Sequence, residues 1–276
     1  MLQISALTKR YEDDAGFRHV ALDSINLTVD EHEAVALVFT SGCGKTTLLR
    51  IVSGLERASA GRLTVWGDPL TGPRRDVGIV FQEPRLMPWL TVRENVRLAL
   101  LDLAPAAQDA AIVDLLRDVG LTDFGHALPR QLSGGMAQRV AIARALARKP
   151  SILLLDEPFS ALDSFTRVKL QDHLGALWEK SRFTMILVTH DIDEALTLSD
   201  RILVMLGQPG RIYRELAVDL PRPRRRTAPE FQTMKEEVTR ALDLSLTTSR
   251  LARETLLSDP LCRMAIGREG RTMPTQ

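Results

Sequence analysis

The feature of this sequence that most restricts its fold is an apolar strand that runs directly into a glycine-lysine-threonine turn and then into a helix. Residues 34–39 are continuously apolar, which is typical of a strand buried on both faces of a sheet. Gly44, Lys45 and Thr46 follow this strand closely. Backbone N–H groups at such a junction form an anion site, in which Lys45 reaches phosphates and the Thr46 hydroxyl binds Mg²⁺. The alternative is a glycine turn that caps a helix, but the strand before it favours a phosphate site.

One position of this turn departs from the phosphate-binding pattern G-x-x-x-x-G-K-[ST], because Phe39 stands where the pattern has its first glycine. Glycine permits a positive φ, which costs a bulky residue roughly 1–2 kcal/mol. We expect Phe39 to extend the strand and point away from the loop, so that nucleotide binding is retained but weakened. The rival hypothesis is a catalytically silent chain.

A second apolar strand, residues 152–155, ends in two adjacent carboxylates, Asp156 and Glu157. Charged groups are rarely buried without a partner. We therefore expect Asp156 to orient Mg²⁺ and its water, and Glu157 to polarise an attacking water. The alternative, a strand end with a helix-capping acid, is less favoured because a phosphate site lies upstream.

A serine and two glycines, Ser133, Gly134 and Gly135, precede a helix predicted over 136–148. Ser133 is a typical N-cap, and the glycines expose N–H groups at the helix N-terminus, which gives a second anion site. The chain thus has two phosphate sites but one pair of Mg²⁺-binding carboxylates. This asymmetry is explained if the second site closes over the nucleotide of a neighbouring copy.

The remaining patterns predict an α/β fold: a largely parallel sheet, an N-terminal antiparallel β part and an inserted helical subdomain over about 84–150. The main domain is predicted over 1–219. Residues 220–276 are predicted to be a basic linker and a helical tail, with the helix from Pro229 to about Leu257. The arginines of 222–226 could bind phosphate, but a solvated domain exit is favoured. We expect the tail to support dimerisation or regulation.

Bulk composition excludes several classes of protein. The 276 residues carry a net charge of +1, so no nucleic-acid partner is expected. The two cysteines lie far apart, which suits a reducing compartment. The apolar runs are strand-sized and the N-terminus lacks a signal-like stretch, so we expect a cytoplasmic protein that acts at membranes through a partner.

Leu132–Arg139 resembles the signature sequence of the ATP-binding-cassette ATPases, and every motif from about Leu2 to Ala217 stands in that family's order. The resemblance implies a P-loop NTPase-type core, ATP and Mg²⁺ as cofactors, and a head-to-tail dimer that sandwiches two ATP molecules. The implied catalytic residues are Glu157, His190, which contacts the γ-phosphate, and Gln82. The implied metal ligands are Thr46, Gln82 and Asp156. The implied nucleotide-binding residues are Tyr11, which stacks on adenine, Ser41, Gly42, Cys43, Gly44, Lys45, Thr46, Thr47, Ser133, Gly134 and Gly135.

Three of these positions carry further expectations. Tyr11, taken alone, could equally be a half-buried strand-end tyrosine. Gln82 matches the residue that senses the membrane partner, and Ser160–Asp163 resembles the segment that crosses the dimer interface. His190 ends a strand, where open α/β sheets bind ligands.

The loop Glu83–Leu90 and the run at 220–224 are similar to those of nitrate, sulfonate and taurine importer subunits. Trp89 and Met87 make a poor solvated loop and a good docking surface, whereas Leu90 could equally pack locally. The implied partners are transmembrane permease subunits at the inner face of the membrane and, indirectly, a substrate-binding protein. The alternatives are an impaired regulatory subunit or a soluble cassette ATPase that does not act in transport.

Overall fold

The computed structural model describes residues 1–12, 18–39 and 44–258. Ser41, Gly42 and Cys43 of the predicted phosphate loop lie outside the described residues. The strands are β1 Leu2–Glu12, β2 Arg18–Val29, β3 Ala34–Val38, β4 Ala60–Val65, β5 Asp68–Pro69, β6 Val77–Val80, β7 Ile152–Asp156, β8 Thr184–Thr189, β9 Arg201–Leu206 and β10 Arg211–Ala217. The α-helices are α1 Lys45–Val52, α2 Val92–Arg97, α3 Pro105–Asp118, α4 Gly134–Leu146, α5 Ser164–Ser181, α6 Ile192–Leu198 and α7 Pro229–Ser258.

Two sheets form the framework. The N-terminal sheet is antiparallel, in the order β2-β1-β4-β5. The central sheet has the order β10-β9-β3-β8-β7-β6 and is parallel except for β10. Every residue of β3, β7 and β8 is buried, which explains their continuous apolar runs. The predicted α/β fold with an antiparallel N-terminal part is confirmed.

Alternate residues of the central strands pack into different clusters on the two faces of the sheet. On one face, Ala36 and Val38 of β3 join a cluster with α5, α6 and α7. On the other face, Val35 and Leu37 pack with α1 and the N-terminal sheet. The parallel sheet is thus covered on both sides, as parallel sheets require.

The helices α2, α3 and α4 share a separate apolar cluster centred on Val96, Leu116 and Val140. Helix α2 begins with a capping box, in which the Thr91 and Glu94 side chains accept each other's backbone N–H groups. This cluster forms where a helical subdomain was expected. Within the described residues, no helix combines the length and apolar character needed to cross a membrane.

The arginine run at 222–226 is not a solvated exit, so that expectation is wrong. The Arg224 side chain is 3% exposed and donates to the carbonyls of Leu196 and Ser199, at the end of α6. Burial lowers the pKa of the Arg224 guanidinium to about 10. Arg222 donates to Asp200 at 2.7 Å, and its guanidinium lies 4.2 Å from the Trp178 ring centroid. Alternate arginines therefore fix the linker to the domain.

Helix α7 follows this fixed linker and packs on the same core. Phe231, Val238 and Ala241 are buried in the cluster that covers one face of the central sheet. The predicted helix, Pro229 to about Leu257, agrees with the observed Pro229–Ser258. The tail thus contributes to the core through residues 231–242 of α7.

Candidate functional site

The candidate site lies at the carboxyl edge of the central sheet, where three adjacent strands end. Lys45 follows β3, Glu157 follows β7 and His190 follows β8. The register pairs Val38 with Thr189, and Asp156 with Val188, so these strand ends are level. Open α/β sheets bind ligands at this edge.

The turn into α1 depends on Gly44. Its φ is 81°, and a Cβ there would lie 2.6 Å from the carbonyl oxygen of Ala21. Only glycine fits without a backbone shift. Helix α1 then begins at Lys45, whose Nζ forms an ion pair with Oε1 of Glu157.

The Phe39 ring also contacts this lysine. Phe39 directly follows β3, is 4% exposed and packs with α1 and the N-terminal sheet. The described non-glycine residues with positive φ do not include Phe39, so it fits the strand end without that strain. However, Nζ of Lys45 lies 4.4 Å from the ring centroid, a cation–π distance. The ring thus packs in the core and contacts the lysine that begins α1, while its direction relative to residues 40–43 lies outside the described residues. Weakened nucleotide binding stays a prediction.

Glu157 is the centre of the charged cluster. It is 6% exposed, and its carboxylate lies between Lys45 on Oε1 and His190, whose Nδ1 is 3.0 Å from Oε2. Its φ of 44° is unusual for a residue other than glycine, and such conformations cost about 1–3 kcal/mol. The backbone holds it there, because the Glu157 N–H donates to the Val188 carbonyl at 2.8 Å. The structure thus brings together three predicted site residues.

Asp156 is buried beside the start of α1. Burial raises the pKa of its carboxyl, while the Lys45 charge and a hydrogen bond with the Thr46 side chain act in the opposite direction. A carboxylate and a hydroxyl in contact are oxygen donors of the kind that Mg²⁺ prefers. Asp156 and Thr46 therefore fit the predicted metal site.

Gln82 reaches the site from the end of β6 through a serine. Its Nε2 donates to Ser160 Oγ at 3.2 Å, and Ser160 Oγ donates to the Glu157 carbonyl at 3.0 Å. Gln82 is thus tied to the turn that carries Glu157. Its predicted role as a metal ligand stays a prediction.

Tyr11 is anchored by α1 and the residues that follow it. Its hydroxyl donates to Glu56 at 2.7 Å and lies 3.3 Å from Thr47 Oγ1. Glu56 also pairs with Lys9 at 2.9 Å. Burial is the main cause that raises the pKa of the Tyr11 phenol. The arrangement brings together Tyr11 and Thr47, two predicted nucleotide-binding residues.

The second predicted anion site stands at the N-terminus of α4. Ser133 is the N-cap, as predicted, and its Oγ accepts the Met136 N–H at 3.3 Å. The helix begins at Gly134, two residues earlier than expected. A Cβ on Gly135 would lie 2.5 Å from Thr166 Cγ2, so glycine permits α4 to lie close against α5.

Sequence reasoning missed several polar residues behind this edge. Glu194 is buried and accepts from the Thr189 hydroxyl at 3.0 Å. Burial raises the pKa of its carboxyl to about 8. Arg167 donates to Asp191, beside His190, and Glu56 holds Tyr11. These residues lie outside the phosphate and signature motifs, and their partners are fixed by tertiary packing, so pattern reading gave no signal for them.

Comparison with known proteins agrees with this geometry. Residues 22–160 match the family model described as ABC transporter. The aliphatic sulfonates import ATP-binding protein SsuB 1 of Xanthomonas axonopodis pv. citri is 53% identical over 232 residues, which cover 83% of this chain and 90% of that protein. The aliphatic sulfonates import ATP-binding protein SsuB of Bacillus licheniformis is 48% identical over 233 residues, covering 84% and 91%. A solved dimeric ATP-binding cassette in a post-hydrolysis state, bound to ADP and Pi, is 34% identical with a TM-score of 0.72, covering 80% of this chain and 100% of that one. This chain therefore belongs to the ABC transporter family, of which it is an ATP-hydrolysing cassette.

Proposed function

We propose that this cassette drives an importer for an anion such as a sulfonate, nitrate or taurine, with aliphatic sulfonates as the first candidate. The names of the two relatives at 53% and 48% identity support the sulfonate assignment. The observation that carries the ATPase assignment is the meeting of Lys45, Glu157 and His190 at one sheet edge. The permease and an external binding protein would set the substrate, so uptake has to be measured with both present.

Glu157 is proposed as the general base. In the described arrangement its carboxylate is shared between Lys45 and His190. A phosphate group attracts the Lys45 ammonium, which frees Oε1 of Glu157 to accept a proton from water. His190, with 60% of its side chain exposed, keeps the other oxygen oriented and can reach the outer phosphate. The positive φ of Glu157 supports this role, because such strain is concentrated at functional sites.

Thr46, Gln82 and Asp156 are proposed as the residues that would hold a Mg²⁺ ion. When bound, the ion would offset negative charge on the phosphates. Asp156 has to be ionised to hold it. Burial opposes ionisation and raises the pKa of the Asp156 carboxyl, whereas the Lys45 charge and the Thr46 hydrogen bond favour the ionised form.

The second anion site is proposed to act in a partner copy. Ser133 and Gly134 are exposed at the N-terminus of α4, where backbone N–H groups are available to phosphate. In a head-to-tail dimer, each ATP would lie between Lys45 and Glu157 of one copy and Ser133 and Gly135 of the other. The solved cassette that this chain resembles is itself dimeric.

The loop over 83–90 is proposed as the surface that receives the permease. Trp89 is 71% exposed, although the loop around it is well fixed. The buried Asn95 side chain accepts the Met87 N–H at 2.8 Å and donates to the Leu90 carbonyl at 3.0 Å. Arg144 donates to the carbonyls of Pro84 and Arg85. A large apolar side chain on a pre-organised loop suits docking.

The cassette is proposed to work at the inner face of the cell membrane. Its ATPase domain is proposed to span 1–219, with the helical subdomain over about 84–150, and the tail 220–276 to support dimerisation or regulation. Two alternatives remain for comparison: an impaired regulatory subunit, motivated by Phe39, and a soluble cassette without a transport role. Capture of a permease by the purified cassette separates the last alternative from the importer.

The test of the catalytic proposal is Glu157→Gln. We expect this variant to bind ATP, to lose hydrolysis and to accumulate an ATP-bound dimer, measured by nucleotide binding, phosphate release and sedimentation. Glu179→Gln, the same change at an exposed position of α5, is the matched control and keeps full turnover. Near-normal hydrolysis by Glu157→Gln would rule out Glu157 as the base. Absence of turnover in the native chain would instead favour the impaired subunit.

A further inference from the structure

Arg167, in the first turns of α5, joins two segments of the site that are far apart in sequence. Its Nη2 donates to the Leu162 carbonyl at 3.0 Å, in the segment 160–163 that is expected to cross the dimer interface. Its Nη1 donates to Asp191 Oδ2 at 3.3 Å, next to His190. The backbone of Arg167 is fixed as well, because its N–H donates to the Asp163 carbonyl at 2.9 Å. The Arg167 side chain, whose backbone is held in place, thus bridges the segment 160–163 and the turn that carries His190.

The turn that carries His190 is fixed from both sides. The Asp191 N–H donates to Thr189 Oγ1, and the Glu194 N–H donates to Asp191 Oδ1. Thr189 Oγ1 in turn donates to Glu194 Oε2 at 3.0 Å. Because His190 lies between two residues of this network, a displacement of Asp191 moves the imidazole relative to Glu157.

The other end of the bridge contacts the second anion site. Leu162 Cδ2 lies 3.7 Å from the position of a Cβ on Gly135, and Thr166 lies closer still. These residues therefore pack directly against the N-terminus of α4, which carries Ser133. A movement of the N-terminus of α4 is therefore transmitted through these contacts to the segment 160–163, whose Leu162 carbonyl accepts the hydrogen bond from Arg167.

The space between the two segments is small. A cavity of about 10 Å³ is lined by residues from both, among them Ser160, Arg167 and Asp191. Close-packed groups transmit displacement instead of absorbing it. A shift in 160–163 therefore reaches the His190 turn through both the hydrogen bonds and the packing.

We propose that Arg167 is a positioning residue through which the segment 160–163 sets the position of His190 against Glu157. The inference rests on the proposed catalytic roles of His190 and Glu157. Arg167 acts through Asp191 and does not itself contact nucleotide. Its guanidinium fork is required, because a single ammonium group cannot span both acceptors in the same geometry.

The test compares Arg167→Met with Arg117→Met in the full-length chain. Arg167→Met keeps the aliphatic stem and removes both bonds, whereas Arg117 is an exposed arginine paired with Asp114 on α3. We expect Arg167→Met to lower kcat for ATP about tenfold, since hydrogen bonds to charged groups are lost. The KM for ATP should stay within about twofold, and Arg167→Lys should not restore kcat. Arg117→Met should behave as the native chain.

A second readout separates positioning from simple destabilisation. Nitrogen-15 spectra of the five histidines, with His190 assigned by His190→Ala, should show the His190 signals shifted in Arg167→Met and unchanged in Arg117→Met. If Arg167→Met fails to fold, Asp191→Asn removes the same charged acceptor and retains a good N-cap. A kcat within about twofold of the native value, or unchanged His190 signals, would overturn the proposal. If the native chain does not hydrolyse ATP, the proposed role of Glu157 as the general base fails. The His190 signals of Arg167→Met still test whether Arg167 positions His190.

Discussion

Replacement of Phe39 by glycine restores the phosphate-binding pattern, yet we expect it to destabilise the protein severely. The ring is 4% exposed and packs between α1 and the N-terminal sheet. Removing a buried phenylalanine side chain down to alanine costs about 3–5 kcal/mol. Glycine in place of alanine adds about 0.5–1 kcal/mol, and the lost contact with Lys45 adds a comparable amount. The expected total of about 4–7 kcal/mol is a large part of the stability of an ordinary domain.

The assay is urea unfolding followed by circular dichroism, with the free energy of unfolding extrapolated to water. Phe39→Leu keeps most of the apolar volume and removes only the ring, so its cost should lie well below that of Phe39→Gly. Phe165→Gly is the matched control at a position that is 68% exposed. The lower helix propensity of glycine and the lost contact with Lys169, whose Nζ lies 4.1 Å from the ring centroid, should together cost about 1 kcal/mol. A loss below about 1 kcal/mol for Phe39→Gly would refute the assignment of the ring to the core. Nucleotide affinity of this variant has to be compared at a temperature where it is folded.

Two further predictions concern buried and half-buried acids. Burial raises the pKa of the Glu194 carboxyl from 4.5 to about 8. Between these two pH values the carboxyl is protonated in the folded protein and ionised in the unfolded chain. The contribution of this raised pKa to the free energy of unfolding is complete below pH 4.5. It is lost as pH rises toward 8, at about 1.4 kcal/mol per pH unit. The unfolding free energy of the native chain minus that of Glu194→Gln should therefore fall between pH 6 and 7.5, and a pH-independent difference would contradict the shift. Glu56→Gln should weaken ATP binding about fivefold, because Tyr11 loses its charged acceptor. Tyr11→Phe should give a similar loss and the double variant little more; unchanged binding in fluorescence titration would show that Glu56 does not position Tyr11.

The sequence predicted the parts of the fold and site that depend on local pattern. The strand before Lys45 and the strand before Glu157 were recognisable because burial on both faces demands continuous apolar residues. Gly44 was recognisable because its conformation excludes other residues. These features are encoded within a few consecutive residues, so a single sequence was sufficient.

The features that were missed depend on partners distant in the chain. The inward direction of Arg224 is set by carbonyls at the end of α6, and that of Arg222 by Trp178 and Asp200. The Phe39 ring is directed by the α1 lysine and by the N-terminal sheet. In each case the local sequence allows the side chain several directions, and tertiary packing selects one of them.

The strand order of the central sheet also governs how this protein is made. Strand β3 lies between β8 and β9, yet it ends at Val38 while β8 begins only at Thr184. At a translation rate of roughly 5–20 residues per second, both edges of β3 stay unpaired for on the order of ten seconds. An apolar strand with open edges is prone to aggregation. The N-terminal sheet is complete by Pro69 and is available during that interval to cover one face of β3. Mutations that slow the pairing of β1 with β2 should therefore reduce the yield of soluble protein while leaving the turnover of each folded molecule unchanged.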